Sequence, residues 1–179
     1  MSNEILDNLD VEAGCLTFKD VRYILIRPDT VVDLQKAVEE MVGPEKCAEA
    51  LMAGGYTGGS RSSKRYKEVF NYTDQEIVAF MCRMGGEIGW GRFNLIELDA
   101  TNKRLIIEVE GSPFAEAYVR NQPSTLRQAQ GTASQLPVCH MIRGVLAGMA
   151  AGIFGGDVDS EETECVAKGD PVCRFVIRG

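Results

Sequence analysis

Cys165 and Cys173 flank the turn sequence Lys168-Gly169-Asp170-Pro171, and no other arrangement in the chain restricts its closure so tightly. A hairpin centred on Gly169 places the two thiols opposite each other, close enough to share one metal or, under oxidation, to pair. Upstream, Pro137 opens a helix-like repeat of Val138, Met141, Ile142, Val145, Leu146, Met149 and Ile153, which puts Cys139 in the first turn. A third thiolate at that helix start would leave one position of a tetrahedral zinc site to fill. Alternation along a regular strand favours Glu161 over Glu162, because residues three apart face opposite ways unless a bulge intervenes. Spacing alone leaves the fourth ligand open among Glu161, Glu162, Glu164 and His140, the chain's only histidine.

The remaining cysteines, Cys15, Cys47 and Cys82, sit singly on apolar stretches and read as small buried hydrophobes. The start MSNEILDNLDVEAG is acidic with no apolar signal core, and no run of about eighteen apolar residues occurs anywhere. A cytoplasmic location is expected, where thiols stay reduced and grouped cysteines bind metal more often than they form disulfides. With 179 residues, 45% of them hydrophobic, the chain suffices for one full core, so residues 1–179 are expected to form one domain with its metal-binding part in 137–179. A net charge of -7 argues against a broad phosphate-binding surface, so neither nucleic acid nor a membrane is an expected partner.

Along the chain, CLTFKDVRYILIRP reads as two short strands around Lys19 and Asp20, the second apolar on both faces and therefore central. Pro28 ends that strand, and Thr30 with Asp33 resembles a cap for a helix carrying Val31, Leu34, Val38 and Met41. Pro44 opens a short helix through Leu51 that Gly54 and Gly55 stop. GGYTGGSRSSKRYK then reads as a mobile surface loop, with Arg61, Lys64, Arg65 and Lys67 as a solvated basic run; it lacks the lysine and hydroxyl of a phosphate loop. Thr73 and Glu76 form a capping box before Ile77, Phe80, Met81 and Met84. A hairpin turns at Thr101 and Asn102, a short helix starts at Ser112, and NQPSTLRQAQGTASQ reads as a polar connector. The small residues Gly144, Ala147, Gly148, Ala151 and Gly152 predict close packing of the last helix on the sheet or on a second copy of itself.

PVCHMIRGVLAGMAAGIFG followed by ETECVAKGDPVCRF resembles the 4-vinyl reductase-type (hydrocarbon-binding) domain family, as do IGWGRF and SPFAEAY. The likeness covers the last third of the chain best and weakens before Gly85. It implies an α/β fold of the α+β type, a mainly antiparallel sheet packed with helices as in TRAPP trafficking subunits, usually dimeric. It further implies a zinc site at Cys139, Glu162, Cys165 and Cys173, as in the sensory domains of aromatic-responsive activators. A small apolar cavity near the metal is also implied, for which Phe80, Met84, Trp90, Phe93, Phe114 and Tyr118 are the candidate ligand contacts. No DNA-binding or ATPase segment accompanies them.

Four protein ligands leave no open position for water, which favours a structural zinc over a catalytic one. Three thiolates and a carboxylate also require hydrogen-bond donors, expected from the amides of Val166 to Asp170. The expected function is a non-enzymatic binding module or sensor for a small hydrophobic or aromatic molecule. The competing readings are an enzyme or accessory protein in tetrapyrrole vinyl reduction, and a tethering subunit. The chain shows neither a nucleotide-binding glycine fingerprint nor a Ser/His/Asp set for the enzymatic one.

Overall fold

In the structure, a computed structural model that describes residues 3–121, 134 and 136–179, a four-residue helix α1 (Glu4–Asp7) precedes an antiparallel meander of β1 (Asp10–Glu12), β2 (Cys15–Phe18) and β3 (Val21–Tyr23). Lys19 and Asp20 form its two-residue turn with φ of 49° and 61°, the positive-φ pair that matches strand twist in a tight hairpin. The strand expected to be central lies instead at the edge of this sheet, and Ile24, Leu25 and Ile26 follow it 74%, 82% and 54% exposed. Apolar residues on both faces read as two-sided burial, but within this chain nothing pairs with that edge among the described residues.

Helix α2 (Pro28–Val42) begins at the proline itself, with Arg27 as cap, so Thr30 lies inside the helix rather than capping it. Proline suits that first turn because the amide it lacks would have no helical partner. Helix α3 runs from Pro44 to Phe70, straight through the four glycines expected to stop it. Those glycines do not form a surface loop because they pack against α6 (His140–Phe154). A Cβ on Gly55 would collide with the backbone of Met141 and Val145, and one on Gly59 with the carbonyl of Val145. In return, Gly144 and Gly148 face the carbonyls of Met52 and Tyr56, and Gly152 faces Ser63. Each mid-helix glycine costs about 0.5–1 kcal/mol against alanine, and the backbone-to-backbone approach of two long helices offsets it. The small stripe of α6 therefore serves α3, neither the sheet nor a second copy.

Helix α4 (Asp74–Glu87) starts at the expected capping box, Thr73 and Glu76. The hairpin of β4 (Arg92–Asp99) and β5 (Arg104–Glu110) follows, then α5 (Pro113–Arg120), capped by the Ser112 hydroxyl. Apart from Asn121 and Ser134, the polar connector lies outside the described residues. After α6 come β6 (Asp159–Glu164), a single 3-10 turn (Val166–Lys168) and β7 (Cys173–Arg178), giving a four-stranded antiparallel sheet in the order β4-β5-β7-β6. Leu105, Ile107, Val109, Phe175 and Ile177 of this sheet share one core with Ile77 and Val78 of α4 and with Ile142, Leu146 and Met149 of α6. The architecture is thus mixed α/β, with two antiparallel sheets packed with helices. Cys47 and Cys82 are buried as expected, and Cys15 is half-buried.

Candidate functional site

Cys139 caps the N-terminus of α6, Cys165 precedes the 3-10 turn, Cys173 opens β7 and Glu162 lies in β6. All four are buried, and one ligand atom from each lies within 4.8 Å of the others. The Sγ atoms of Cys139 and Cys173 are 3.7 Å apart. Glu162 joins the thiols because the β6–β7 register shifts between Glu162 and Glu164. Thr163 is the extra residue, so three steps along the strand return to the same face. Glu161 remains exposed and reaches Arg178, Glu164 stands opposite Arg174, and His140 points into a different cavity.

Oε2 of Glu162 accepts the Cys139 amide at 2.9 Å, whereas Oε1 is buried with no partner. Burial first, and the neighbouring Cys165 second, push this carboxyl up to about 9. Hydrogen bonds to Cys165 and Cys173, together with burial, hold the Cys139 thiol well above its usual range. Bonds to Cys139 and Cys165 draw the Cys173 thiol down, helped by the Val166 amide at 3.4 Å. With no cation the cluster thus favours a single shared thiolate and a neutral carboxylic acid. Three sulfurs and an orphaned carboxylate oxygen form a donor set suited to a tetrahedral soft-to-borderline cation, whose charge would let every ligand ionise. Ser112 Oγ lies 3.3 Å from Cys139 Sγ, and the Asp170 carboxylate accepts the Cys165 amide at 2.8 Å, which braces the turn between the two strand thiols. Of the amides expected from Val166 to Asp170, that of Val166 donates to a sulfur, while Lys168 and Asp170 donate to the Cys165 carbonyl.

One turn along α6 from Cys139, a cavity of about 210 Å³ opens between α6, α3, α4 and β3. None of its lining residues carries a charge. Ile142, Val145, Leu146, Met81, Met84, Ile88 and Phe93 supply apolar wall, and Tyr23, Ser62 and the indole of Trp90 supply the polar side chains. The Tyr23 hydroxyl has only the Met84 sulfur near it, at 3.9 Å, and its burial raises its pKa.

Of the six aromatic and Met candidates, Met84, Trp90 and Phe93 line this cavity. Phe114 stands behind it, edge-on to Trp90 at 5.4 Å. Phe80 belongs to a neighbouring aromatic cluster, 4.7 Å from Tyr66 and 5.8 Å from Tyr72. Tyr118 lies elsewhere, donating to Glu39 at 2.7 Å beside a second cavity of about 260 Å³ that also holds His140 and Arg143. Burial and the Arg143 charge hold that histidine down to about 4. The lining residues that sequence reasoning missed are Tyr23, Gly58 and Ser62 on β3 and α3, together with the α6 face. For α6 the periodic Ile142, Val145 and Leu146 were the available signal; for α3 there was none, once its glycines read as a loop.

Comparison with known proteins returns the same family that the C-terminal motifs resemble. Residues 128–179 match the model of the 4-vinyl reductase domain. The phenol regulator MopR of Acinetobacter guillouiae is 22% identical over 175 residues, an alignment covering 97% of this chain and 30% of MopR, so the chain spans less than a third of that relative. The phenol-responsive sensory domain of the transcription activator PoxR, solved with phenol, superposes with a TM-score of 0.80 at 21% identity, over 98% of this chain and 86% of that one. A trafficking protein particle complex subunit 3 from Naegleria fowleri, covalently bound to palmitic acid, gives a TM-score of 0.56 at 14% identity, over 84% of this chain and 93% of that one. A vinyl-4-reductase family protein from Methanocaldococcus jannaschii gives 0.53 at 18%, over 87% and 83%. At such identities these structures establish the fold, which is the TRAPP-like α/β arrangement expected from the resemblance. Among the described residues, no helix is long and apolar enough to cross a membrane.

Proposed function

From a chain whose last third matches the 4-vinyl reductase domain and whose fold is that of a phenol-responsive sensory domain, we propose a non-enzymatic module that binds a small neutral aromatic molecule in the cavity beside α6. The observation that carries this reading is the cavity wall itself, apolar and uncharged with three hydrogen-bonding side chains, the composition of a small-molecule site. Its volume of about 210 Å³ suits a single substituted ring. Sites for drug-sized ligands run to roughly 300–1,000 Å³, so a tetrapyrrole would not fit and vinyl reduction is the poorer reading. Met84, Trp90 and Phe93 would hold the ring, with Tyr23 and Ser62 reading its polar substituent.

Cys139, Glu162, Cys165 and Cys173 would hold a structural zinc that ties the β6–β7 hairpin to the start of α6. Bound there, zinc would supply charge and cross-linking rather than a reactive water, because the protein fills all four positions. The unpartnered Oε1 of Glu162 supports this reading, since a buried carboxylate oxygen without a partner is costly. The chain is read as one ligand-binding domain, and as a homodimer whose second copy covers Ile24, Leu25 and Ile26 beside Leu34 and Met41 of α2. The cytoplasm is the compartment proposed, because thiols that ligate metal must stay reduced.

Native mass spectrometry of the untagged protein, paired with melting curves across neutral aromatics, tests this reading. One zinc per chain, a dimer and a melting temperature raised by phenol are the expected results. Metal-free protein with no stabilisation by any single-ring aromatic would refute it.

A further inference from the structure

The exposed members of the cavity wall mark its mouth. They are Val21 of β3, 39% exposed, and Gly58 on the facing side of α3, while Ile142, Leu146 and Met81 on the far side are buried. One lip of the mouth is therefore the β2–β3 hairpin, and that hairpin is weakly rooted. Strand β1 beside it is exposed along its whole length, and of the meander's strand residues only Phe18 is buried. On one flank, α1 is pinned to α4, where the Ile5 amide donates to Glu87 at 3.0 Å and Asn3 donates to the Glu87 carbonyl at 3.1 Å. On the other flank, α2 is tied to α5 through Asp29 and Arg120. Between these anchors the hairpin is fastened at its tip.

That fastening is one residue wide. The Lys19 ammonium sits over three rings, Phe18 and Phe70 at 5.2 Å and Phe80 at 4.9 Å, with Glu4 Oε1 at 3.5 Å. An ammonium is drawn to the negative face of an aromatic ring, and partial burial strengthens the attraction. The Lys19 carbonyl also accepts from Arg65 of α3 at 2.9 Å. Lys19 and Asp20 hold left-handed backbone angles that lysine rarely adopts, so the closed turn depends on what its side chains gain. The aromatic group thus has a role besides core packing: it receives the hairpin tip.

We propose that the β2–β3 hairpin is the access flap of the cavity, latched shut by Lys19 in the Phe18, Phe70 and Phe80 cluster and carrying Val21 and Tyr23 as its inner wall. The ligand enters between Val21 and Gly58 when the latch releases. The inference rests on the cavity being the ligand site only for what passes the flap; its motion is measurable with no ligand present.

Trp90 is the chain's single tryptophan and lines the cavity, so its fluorescence reports entry. Acrylamide, a small neutral quencher, is applied to the full chain as wild type, Lys19→Met and Lys19→Arg. Methionine keeps the side-chain length without the charge, and arginine keeps the cation. The flap predicts a quenching constant about threefold higher in Lys19→Met, and wild-type values in Lys19→Arg. In wild-type protein, amides of the hairpin should exchange with deuterium faster than those of α6, and in Lys19→Met the increase should stay within the hairpin. Unchanged quenching in a folded Lys19→Met protein overturns the proposal, as does exchange that rises equally in α3 and α6. Should Lys19→Met fail to fold, hairpin amides in the wild type exchanging as slowly as those of α6 would overturn it. If acrylamide gains entry in Lys19→Met while phenol binds neither protein, the flap stands and the aromatic-ligand reading falls.

Discussion

The amide of Cys139 donates to Oε2 of Glu162 at 2.9 Å, while the other oxygen of that carboxylate lies buried without a partner. One bond orients the side chain from the helix side, and the free oxygen faces three sulfurs. Removing the carboxylate's charge without changing its shape isolates its role. Glu162→Gln and Cys165→Ser are both expected to lower zinc content below one per chain, measured by inductively coupled plasma mass spectrometry. A chelator should lower wild-type stability by about 2 kcal/mol or more, a fall in Tm of about 4–8 °C, and leave Cys165→Ser unmoved.

The contact between α3 and α6 gives two opposite outcomes for one kind of substitution. In Gly148→Ala the new methyl would meet the Tyr56 carbonyl oxygen, which being backbone cannot move aside. Urea unfolding should show a loss of about 2–3 kcal/mol. Gly54 lies in α3 with nothing within 4 Å of an added Cβ. Gly54→Ala should therefore gain about 0.5–1 kcal/mol through reduced freedom of the unfolded chain.

At the cavity mouth, Gly58 also has open space around its missing side chain. Gly58→Leu is expected to fill that space, weakening phenol binding at least about tenfold in calorimetric titrations while Tm holds or rises. Tyr23→Phe removes one donor and leaves the ring. A loss of about fivefold in affinity is expected, near the net worth of one hydrogen bond.

The start of α4 carries an acid-sensitive contribution. Glu76 accepts from the Thr73 amide and hydroxyl, each at 2.7 Å, and those bonds hold its carboxyl below the usual range. A depressed carboxyl pKa stabilises the fold above its unfolded value, near 4.3, and that stabilisation disappears as pH falls through the lower folded value. The Tm gap between wild type and Glu76→Gln should thus be widest at neutral pH and close in strong acid. Thr73→Ala should cost about 1 kcal/mol at pH 7 in chemical unfolding.

What could be read from the residues follows interaction range. The Cys165–Cys173 hairpin was legible because turn and strands are contiguous, and so was the Thr73–Glu76 box, whose partners are three residues apart. Glu162 was not settled by spacing, because the bulge at Thr163 leaves no mark in alternation. The α3 glycines misled because a glycine that ends a helix and one that admits another backbone look alike locally; the partner that decides, α6, lies far along the chain. For the same reason Met84, Trp90 and Phe93 were found while Gly58 and Ser62 on α3 were missed. The exposed Ile24, Leu25 and Ile26 show the converse error, a local apolar run taken for burial.

The central claim, that the uncharged cavity beside α6 receives a neutral ring, is tested most directly by isothermal titration of the zinc-replete protein with phenol and benzoate at pH 7.5. Both rings are of similar size, and only benzoate carries a full charge that no lining residue can balance. Saturable one-site binding of phenol, absent for benzoate and lost in Gly58→Leu, is the predicted result. Benzoate binding as tightly as phenol, or phenol binding undiminished by Gly58→Leu, would contradict it.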